Sequence, residues 1–206
     1  MVTPSKRNAL SRFQRRSPTY ERSWLQPRLF EPAQQAVLEV MEHYLPTQPN
    51  AVLDVGCGTG RLLRSVHERW PDADLMGIDP TPGMVERARQ LTPAARFEVS
   101  FAEALPVSDA SVDVVVSTFA FHHWSDQGAG LREVARVLRP KGYFFLADAV
   151  VPEWLSRFLP WSRLRSPAQV PILFQQAGLH VLQQQSAVSG WVLITVGRKE
   201  SVPGGK

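Results

Sequence analysis

The chain reads as an open α/β fold, a doubly wound and mostly parallel sheet of seven strands with helices on both faces. Three observations predict it. Apolar runs of strand length alternate with helical patterns from Val52 to Ala147. The first run passes through Gly56, Gly58 and Gly60 directly into a helical pattern carried by Leu62, Leu63 and Val66. Near the end, Leu179 to Ser186 and Trp191 to Val196 meet across Ser189-Gly190, which predicts an antiparallel edge hairpin.

The elements follow in order. Residues 1–28 carry Lys6, Arg7, Arg12, Arg15, Arg16, Arg22 and Arg28 against the single acid Glu21. That balance reads as a basic N-terminal arm, able to meet phosphate or simply to stay solvated. Residues 29–200 read as one domain. Glu31 to Tyr44 is helical, with Val37, Val40, Met41 and Tyr44 on one face and Pro32 in the first turn. Val52 to Val55 is a buried strand, followed by a helix to about Trp70. Leu75 to Asp79 is the second strand, and Pro82-Gly83 opens a helix over Met84 to Leu91. Arg96 to Ser100 is the third strand. Val112 to Ala120, almost unbroken in apolar residues, is the central one. Leu131, Val134, Ala135 and Leu138 mark a helix that Arg139-Pro140-Lys141-Gly142 ends, before a strand over Tyr143 to Ala147 with Asp148 at its tip. Residues 149–166 contain Trp154, Phe158 and Trp161, too apolar for an idle loop, and read as a cap over the substrate, with a partner interface as the alternative. A short helix from Ala168 to Gln176 precedes the hairpin, and residues 201–206 read as a disordered tail.

Composition narrows the function. The formal charge of +4 comes from the first 28 residues and does not by itself make a nucleic-acid protein. Cys57 is the single cysteine, so no intrachain disulfide forms. Set between two glycines, it reads as a small filler rather than a nucleophile. No apolar run reaches the length of a membrane span and no signal-type apolar segment opens the chain, so a cytoplasmic protein without membrane contact is expected.

The chemistry is concentrated at the glycine loop. A strand that turns into a helix without side chains between them lets a ligand touch backbone, at the positive end of the helix. The dinucleotide fingerprint needs glycines at positions 1, 3 and 6 of the loop. Counted from Gly56, the sixth position is Arg61. The spacing is G-x-G-x-G instead, with Asp54 two residues ahead. Asp79 follows at the tip of the next strand, about 20 residues on, where a carboxylate suits a ribose diol. Loop and acid together call for an adenosine-type ligand with no required pyrophosphate. His122 and His123 invite a metal reading, but adjacent positions point apart and no Cys/His cluster stands near them, so no metal is expected. A histidine capping the next turn remains the structural alternative.

Asp54-Val55-Gly56-Cys57-Gly58-Thr59-Gly60 resembles motif I of the class I S-adenosylmethionine-dependent methyltransferases. Ile78-Asp79-Pro80-Thr81-Pro82-Gly83-Met84, Ala102-Glu103-Ala104-Leu105-Pro106, the run Asp113 to Trp124 and Leu138-Arg139-Pro140-Lys141-Gly142 resemble the later landmarks of the branch with a methyltransferase type 11 domain. The resemblance covers about residues 50–148. It implies a Rossmann-like sheet of order 3-2-1-4-5-7-6 and S-adenosylmethionine as cofactor. It implies cofactor contacts from Asp54, Gly56, Cys57, Gly58, Gly60, Asp79, Pro80, Met84, Ala102 and Thr118. An acid that normally precedes the alanine beside adenine is here Phe101, which leaves either Phe101 on the ring face or Glu103 as acceptor. His122, with His123, falls just past the strand tip, facing the methyl group as a catalytic candidate, and Tyr20 falls where a lid residue lies over the cofactor.

The expected activity is methyl transfer to a small molecule, mostly by alignment and desolvation. A nucleic-acid methyltransferase using the basic arm is one alternative, although no Asn-Pro-Pro-Tyr type motif follows the fourth strand. A nicotinamide dehydrogenase is disfavoured by Arg61 and by the absence of a Tyr-x-x-x-Lys pair. A non-catalytic cofactor-binding module on this fold stays open.

Overall fold

The computed structural model describes residues 4–150 and 164–200. The aromatic segment read as a substrate cap lies almost wholly outside the described residues, as does the tail read as disordered. The described elements are α1 (Pro4–Arg16), α2 (Glu31–Tyr44), β1 (Ala51–Val55), α3 (Arg61–Arg69), β2 (Asp74–Asp79), α4 (Pro82–Leu91), β3 (Arg96–Val99), β4 (Val112–Thr118), α5 (Gln127–Val137), β5 (Leu138–Ala149), α6 (Gln169–Gln176), β6 (Leu179–Ala187) and β7 (Val192–Lys199). A 3-10 turn (Ser17–Arg22) and a π turn (Gln26–Phe30) join α1 to α2.

The seven strands form one sheet of order β3-β2-β1-β4-β5-β7-β6. Pairing is parallel through β5, and β7 runs antiparallel to both β5 and β6. The strand alternation divides the core. Val52, Val114, Val116 and Phe145 face α2, α3 and α4, packing with Val37, Met41, Leu63, Val66 and Val85. Leu53, Val55, Val115, Phe144 and Leu146 face α5 and α6, packing with Leu131, Val134 and Phe174. The same alternation puts Asp54 on the Val52 face, inside the layer below α3.

Several elements differ from the sequence reading. The central strand ends at Thr118, because Phe119 turns into the left-handed region at φ 54°. Helix α5 starts at Gln127, since the Asp126 carboxylate caps it by accepting from the Ala129 N–H at 2.9 Å. Strand β5 begins at Leu138, which pairs with Val112, and bulges through Lys141 at φ 67° before pairing again from Tyr143. The basic stretch at the N-terminus contains a helix. The Gln14 side chain fastens it by accepting from the Gly83 N–H at 2.8 Å, at the first turn of α4.

Candidate functional site

A cavity of about 280 Å³ opens at the carboxyl ends of β1, β2 and β4, where the strand order reverses. Of the residues singled out from sequence, Tyr20, Gly56, Gly58, Asp79, Pro80, Met84, Phe101, Ala102, Glu103, Thr118, His122 and His123 all line it. Asp54, Cys57 and Gly60 do not; they form the layer behind its wall.

The glycine loop is built as its spacing suggests. Gly56, Gly58 and Gly60 all hold positive φ, at 86°, 53° and 76°. At Gly56 a Cβ would stand 2.1 Å from the Ala120 Cβ, so only glycine lets the β1 and β4 tips approach. A Cβ on Gly58 would meet nothing nearer than the Tyr20 ring at 4.0 Å, which leaves that space for a ligand. Gly60 serves packing: its Cβ would strike Phe97 at 2.8 Å. Cys57 is buried, its sulfur near the position a Cβ on Gly77 would take. Burial first, then Asp54 and Asp79, push its thiol well above the usual range, which makes it inert.

Two carboxyl groups dominate the electrostatics. Asp79 is 9% exposed and accepts from the Gly58 N–H at 3.1 Å and the Thr81 N–H at 2.8 Å. Burial raises its pKa, and those hydrogen bonds work against the rise. Asp54 is 1% exposed, and its Oδ1 has no hydrogen-bond partner among the described residues. Burial and then the neighbouring Asp79 push its carboxyl up to about 8. Tyr20 shares this field: burial and then Asp79 raise its pKa, while Arg16 and Arg61 oppose them. This wall repels anions and rewards positive charge.

The N-terminal segment forms the facing wall. Leu10 and Phe13 of α1 line the cavity. Tyr20 stacks with Phe30 at 6.3 Å, and Phe30 meets Phe119 edge-on at 4.7 Å. Beside Tyr20, Glu21 accepts from the Thr59 hydroxyl at 2.9 Å and from the Arg64 guanidinium at 2.5 Å, tying the segment to the glycine loop and α3. Leu10 and Phe13 escaped the sequence reading because charge drew attention to the stretch. Their i, i+3 spacing was the available signal.

At the β4 tip, the 3-10 turn Phe121–His123 brings both histidines to the cavity. The His122 Nδ1 lies 2.7 Å from Asp148 Oδ1, and the His122 backbone N–H donates to Asp148 Oδ2 at 2.9 Å. The rings of His122 and His123 are 3.9 Å apart, and His123 meets Phe13 edge-on at 5.2 Å. Among the described residues no group of three or more His, Cys, Asp or Glu is placed to hold a metal. The Glu103 carboxylate accepts backbone N–H bonds from Ser125 and Asp126, so it clips the loop that follows the histidines.

Comparison with known proteins agrees with this geometry. Residues 53–146 match a family model described as a methyltransferase domain. The malonyl-[acyl-carrier protein] O-methyltransferase of Dechloromonas aromatica is 35% identical over 146 residues, 70% of this chain and 52% of that protein. The demethylmenaquinone methyltransferase of Deinococcus radiodurans is 36% identical over 121 residues, 57% of this chain and 48% of that one. The chain thus spans about half the length of the curated relatives it matches. Among solved structures, a chain of the complex containing the Haloferax volcanii Trm112 methyltransferase activator superposes with a TM-score of 0.77 at 25% identity, covering 92% of this chain and 98% of that one. With this sheet order, this loop and these matches, residues 53–146 are a methyltransferase domain, set in a sheet of the class I S-adenosylmethionine-dependent methyltransferase type.

Proposed function

We propose that the chain transfers a methyl group from S-adenosylmethionine to a small-molecule acceptor. The observation that carries this reading is the pairing of an open glycine cradle with the buried Asp79 carboxyl at its rim, backed by Asp54, whose Oδ1 has no partner among the described residues. A pyrophosphate would bring negative charge into that field. A sulfonium and an amino group bring the positive charge it lacks.

The residues present fit such a donor. Gly58 leaves backbone exposed where a Cβ would fill the cradle. Asp79 keeps lone pairs beyond its two backbone bonds, enough to accept from a ribose diol. Phe101, Ala102 and Met84 give an apolar slot at the tip of β3 for a flat base, with Phe101 on the ring face. Glu103 is occupied with the Ser125–Asp126 backbone, which favours Phe101 over Glu103 as the distinguishing adenine contact. Pro80 and Thr118 complete the wall, and Tyr20 closes over it as a lid. When bound, the donor supplies an electrophilic methyl on sulfur. The chain's part is to align the acceptor with that methyl and exclude water, worth roughly 7–11 kcal/mol when the geometry is good.

The acceptor is enclosed by Leu10, Phe13, His122, His123 and Trp124, an apolar and imidazole-lined chamber suited to a small molecule rather than a duplex. The relatives' names give a malonyl-[acyl-carrier protein] and a demethylmenaquinone as acceptors, and neither is a nucleic acid. Calorimetry checks the donor: S-adenosylmethionine and S-adenosylhomocysteine bind and NAD does not. A transfer assay offering a metabolite extract, total RNA and DNA checks the acceptor. Binding of NAD alone, or transfer to nucleic acid alone, overturns the proposal.

A further inference from the structure

We infer that Asp148 and His122 form a proton-accepting dyad, and that the acceptor is therefore a hydroxyl compound; this rests on the methyl-transfer reading above. The two residues come from different elements. His122 sits in the turn after β4, and Asp148 near the end of β5. Asp148 is buried, and its carboxylate is immobilised by three donors: the His122 N–H at 2.9 Å, the Ala149 N–H at 2.8 Å and the His122 ring at 2.7 Å. A carboxylate facing Nδ1 can only accept, so Nδ1 carries a proton, and in the neutral ring Nε2 holds the lone pair. His122 lines the main cavity, whereas Asp148 lines a separate, smaller crevice behind it. The ring edge turned from Asp148 carries Nε2, and we assign that edge to the cavity His122 lines. His123 packs against the ring and limits its rotation.

A fixed proton acceptor is informative about the acceptor atom. A neutral amine attacks with its own lone pair and loses its proton afterwards to solvent. A thiol is already partly ionised near neutrality. An alcohol or phenol gains most from proton removal as it attacks. In the step, an oxygen lone pair forms the C–O bond to the methyl carbon as the C–S bond breaks, its electron pair leaving on sulfur as a neutral thioether. The hydroxyl proton passes to His122 Nε2. The imidazolium so formed faces Asp148 and later releases that proton to solvent. Asp148 is a positioning residue here, acting through His122.

The test has two independent readouts on the full chain. Nitrogen-15 ring spectra of the ligand-free protein, with His122 assigned by its loss in His122→Gln, are expected to show protonated Nδ1 and bare Nε2. Asp148→Asn places an amide opposite Nδ1 and is expected to populate the Nε2–H tautomer. A wild-type Nε2–H tautomer, or one unmoved by Asp148→Asn in a variant with a native melting transition, overturns the dyad. Should Asp148→Asn fail to fold, His122→Gln, which leaves the carboxylate and its backbone bonds in place, carries the second readout. That readout is transfer from carbon-13 methyl-labelled S-adenosylmethionine into a metabolite extract, with the methylated atom identified by carbon NMR. Label is expected on oxygen, falling about 10²–10⁴-fold in His122→Gln with S-adenosylhomocysteine affinity unchanged. Label on nitrogen, sulfur or carbon only, or on nothing in a chain that binds the donor, overturns the acceptor class. Failure of the wild-type chain to bind either adenosyl ligand instead defeats the methyl-transfer reading, while the tautomer result still decides the dyad.

Discussion

The two ends of the sheet treat the same chemical group in opposite ways. At the amino ends of the strands, Asp113 accepts from the Asn50 and Ala51 N–H groups at 2.8 and 3.0 Å and from Arg139 at 2.6 Å. Burial raises its pKa but these bonds outweigh it, and the carboxyl is held below its ordinary range. Nearby, Arg136 spans Glu133 and Asp109, and Lys199 donates to the Leu138 carbonyl at 2.7 Å. At the carboxyl ends, Asp54 is more deeply buried and has an oxygen with no partner among the described residues. Three loop glycines and Phe119 hold positive φ there. One end is finished by the chain itself. The other keeps strain and an unpartnered carboxyl oxygen, which a ligand can relieve.

Gly56→Ala should break the contrast most severely. The added methyl meets Ala120 at 2.1 Å on a backbone at φ 86°. Overpacking and the left-handed penalty together cost about 2–5 kcal/mol. Thermal melts should show that loss, and calorimetry should show no binding of S-adenosylhomocysteine. Native stability with full affinity would mean the β1 and β4 tips do not need their close approach.

The next effect is read in pH. The folded chain holds the Asp54 proton more tightly than the unfolded chain, since its pKa rises from 3.8 to about 8. Stability from this group is therefore full below the ordinary carboxyl pKa and is lost as pH rises through about 8, by at most about 6 kcal/mol. Denaturant titrations of the ligand-free chain against Asp54→Asn should isolate that falling slope as the difference of two curves. Affinity for the cationic donor should move the other way and increase over the same range. Parallel curves for the two proteins would show that Asp54 is solvated or paired after all.

Asp79→Ala and Asp113→Ala then compare the ends directly. Asp79→Ala should weaken S-adenosylhomocysteine by about 1.5–3 kcal/mol, and orphaning the Gly58 and Thr81 N–H groups should lower stability as well. Asp113→Ala should cost about 1–3 kcal/mol of stability, by orphaning two backbone donors and Arg139, and leave affinity unchanged. Matching outcomes at the two sites would erase the distinction.

Much of this was legible in the sequence because it is local. Strand alternation, the glycine spacing and an acid at a strand tip are each set by a few neighbouring residues, and they gave the sheet and most of the cavity wall. What was illegible is long-range or conformational. His122 and Asp148 are joined only by β5 returning alongside β4. Phe119 looked like strand because nothing in its side chain announces positive φ. Leu10 and Phe13 were hidden in a stretch defined by its arginines, and Asp126 was an unread helix cap. Asp54 was read as a contact from its motif, and it is not among the residues that line the cavity.

The smallest expected effect concerns Glu21, which borrows the amino-end chemistry for use at the carboxyl end. Its carboxylate is half-buried between Thr59, Arg64 and Arg61. Burial would raise its pKa, but the Arg64 and Thr59 bonds and the two guanidinium charges outweigh it and hold it low. Stability from this group is thus present above the ordinary glutamate value and lost as pH falls through its lower folded value. The pair is partly solvated, so Glu21→Gln should cost only about 0.5–1 kcal/mol of stability. Its consequence for the site should exceed that figure in kinetics. Glu21 ties the Tyr20 segment to the glycine loop, and Tyr20 closes one side of the cavity. Loosening the tie should raise both the association and dissociation rates of S-adenosylhomocysteine, with little change in their ratio. Stopped-flow measurement on the wild type and Glu21→Gln decides it. Faster dissociation with unchanged association would make Glu21 a contributor to affinity, and unchanged rates would mean the cavity fills by a path that leaves this segment in place.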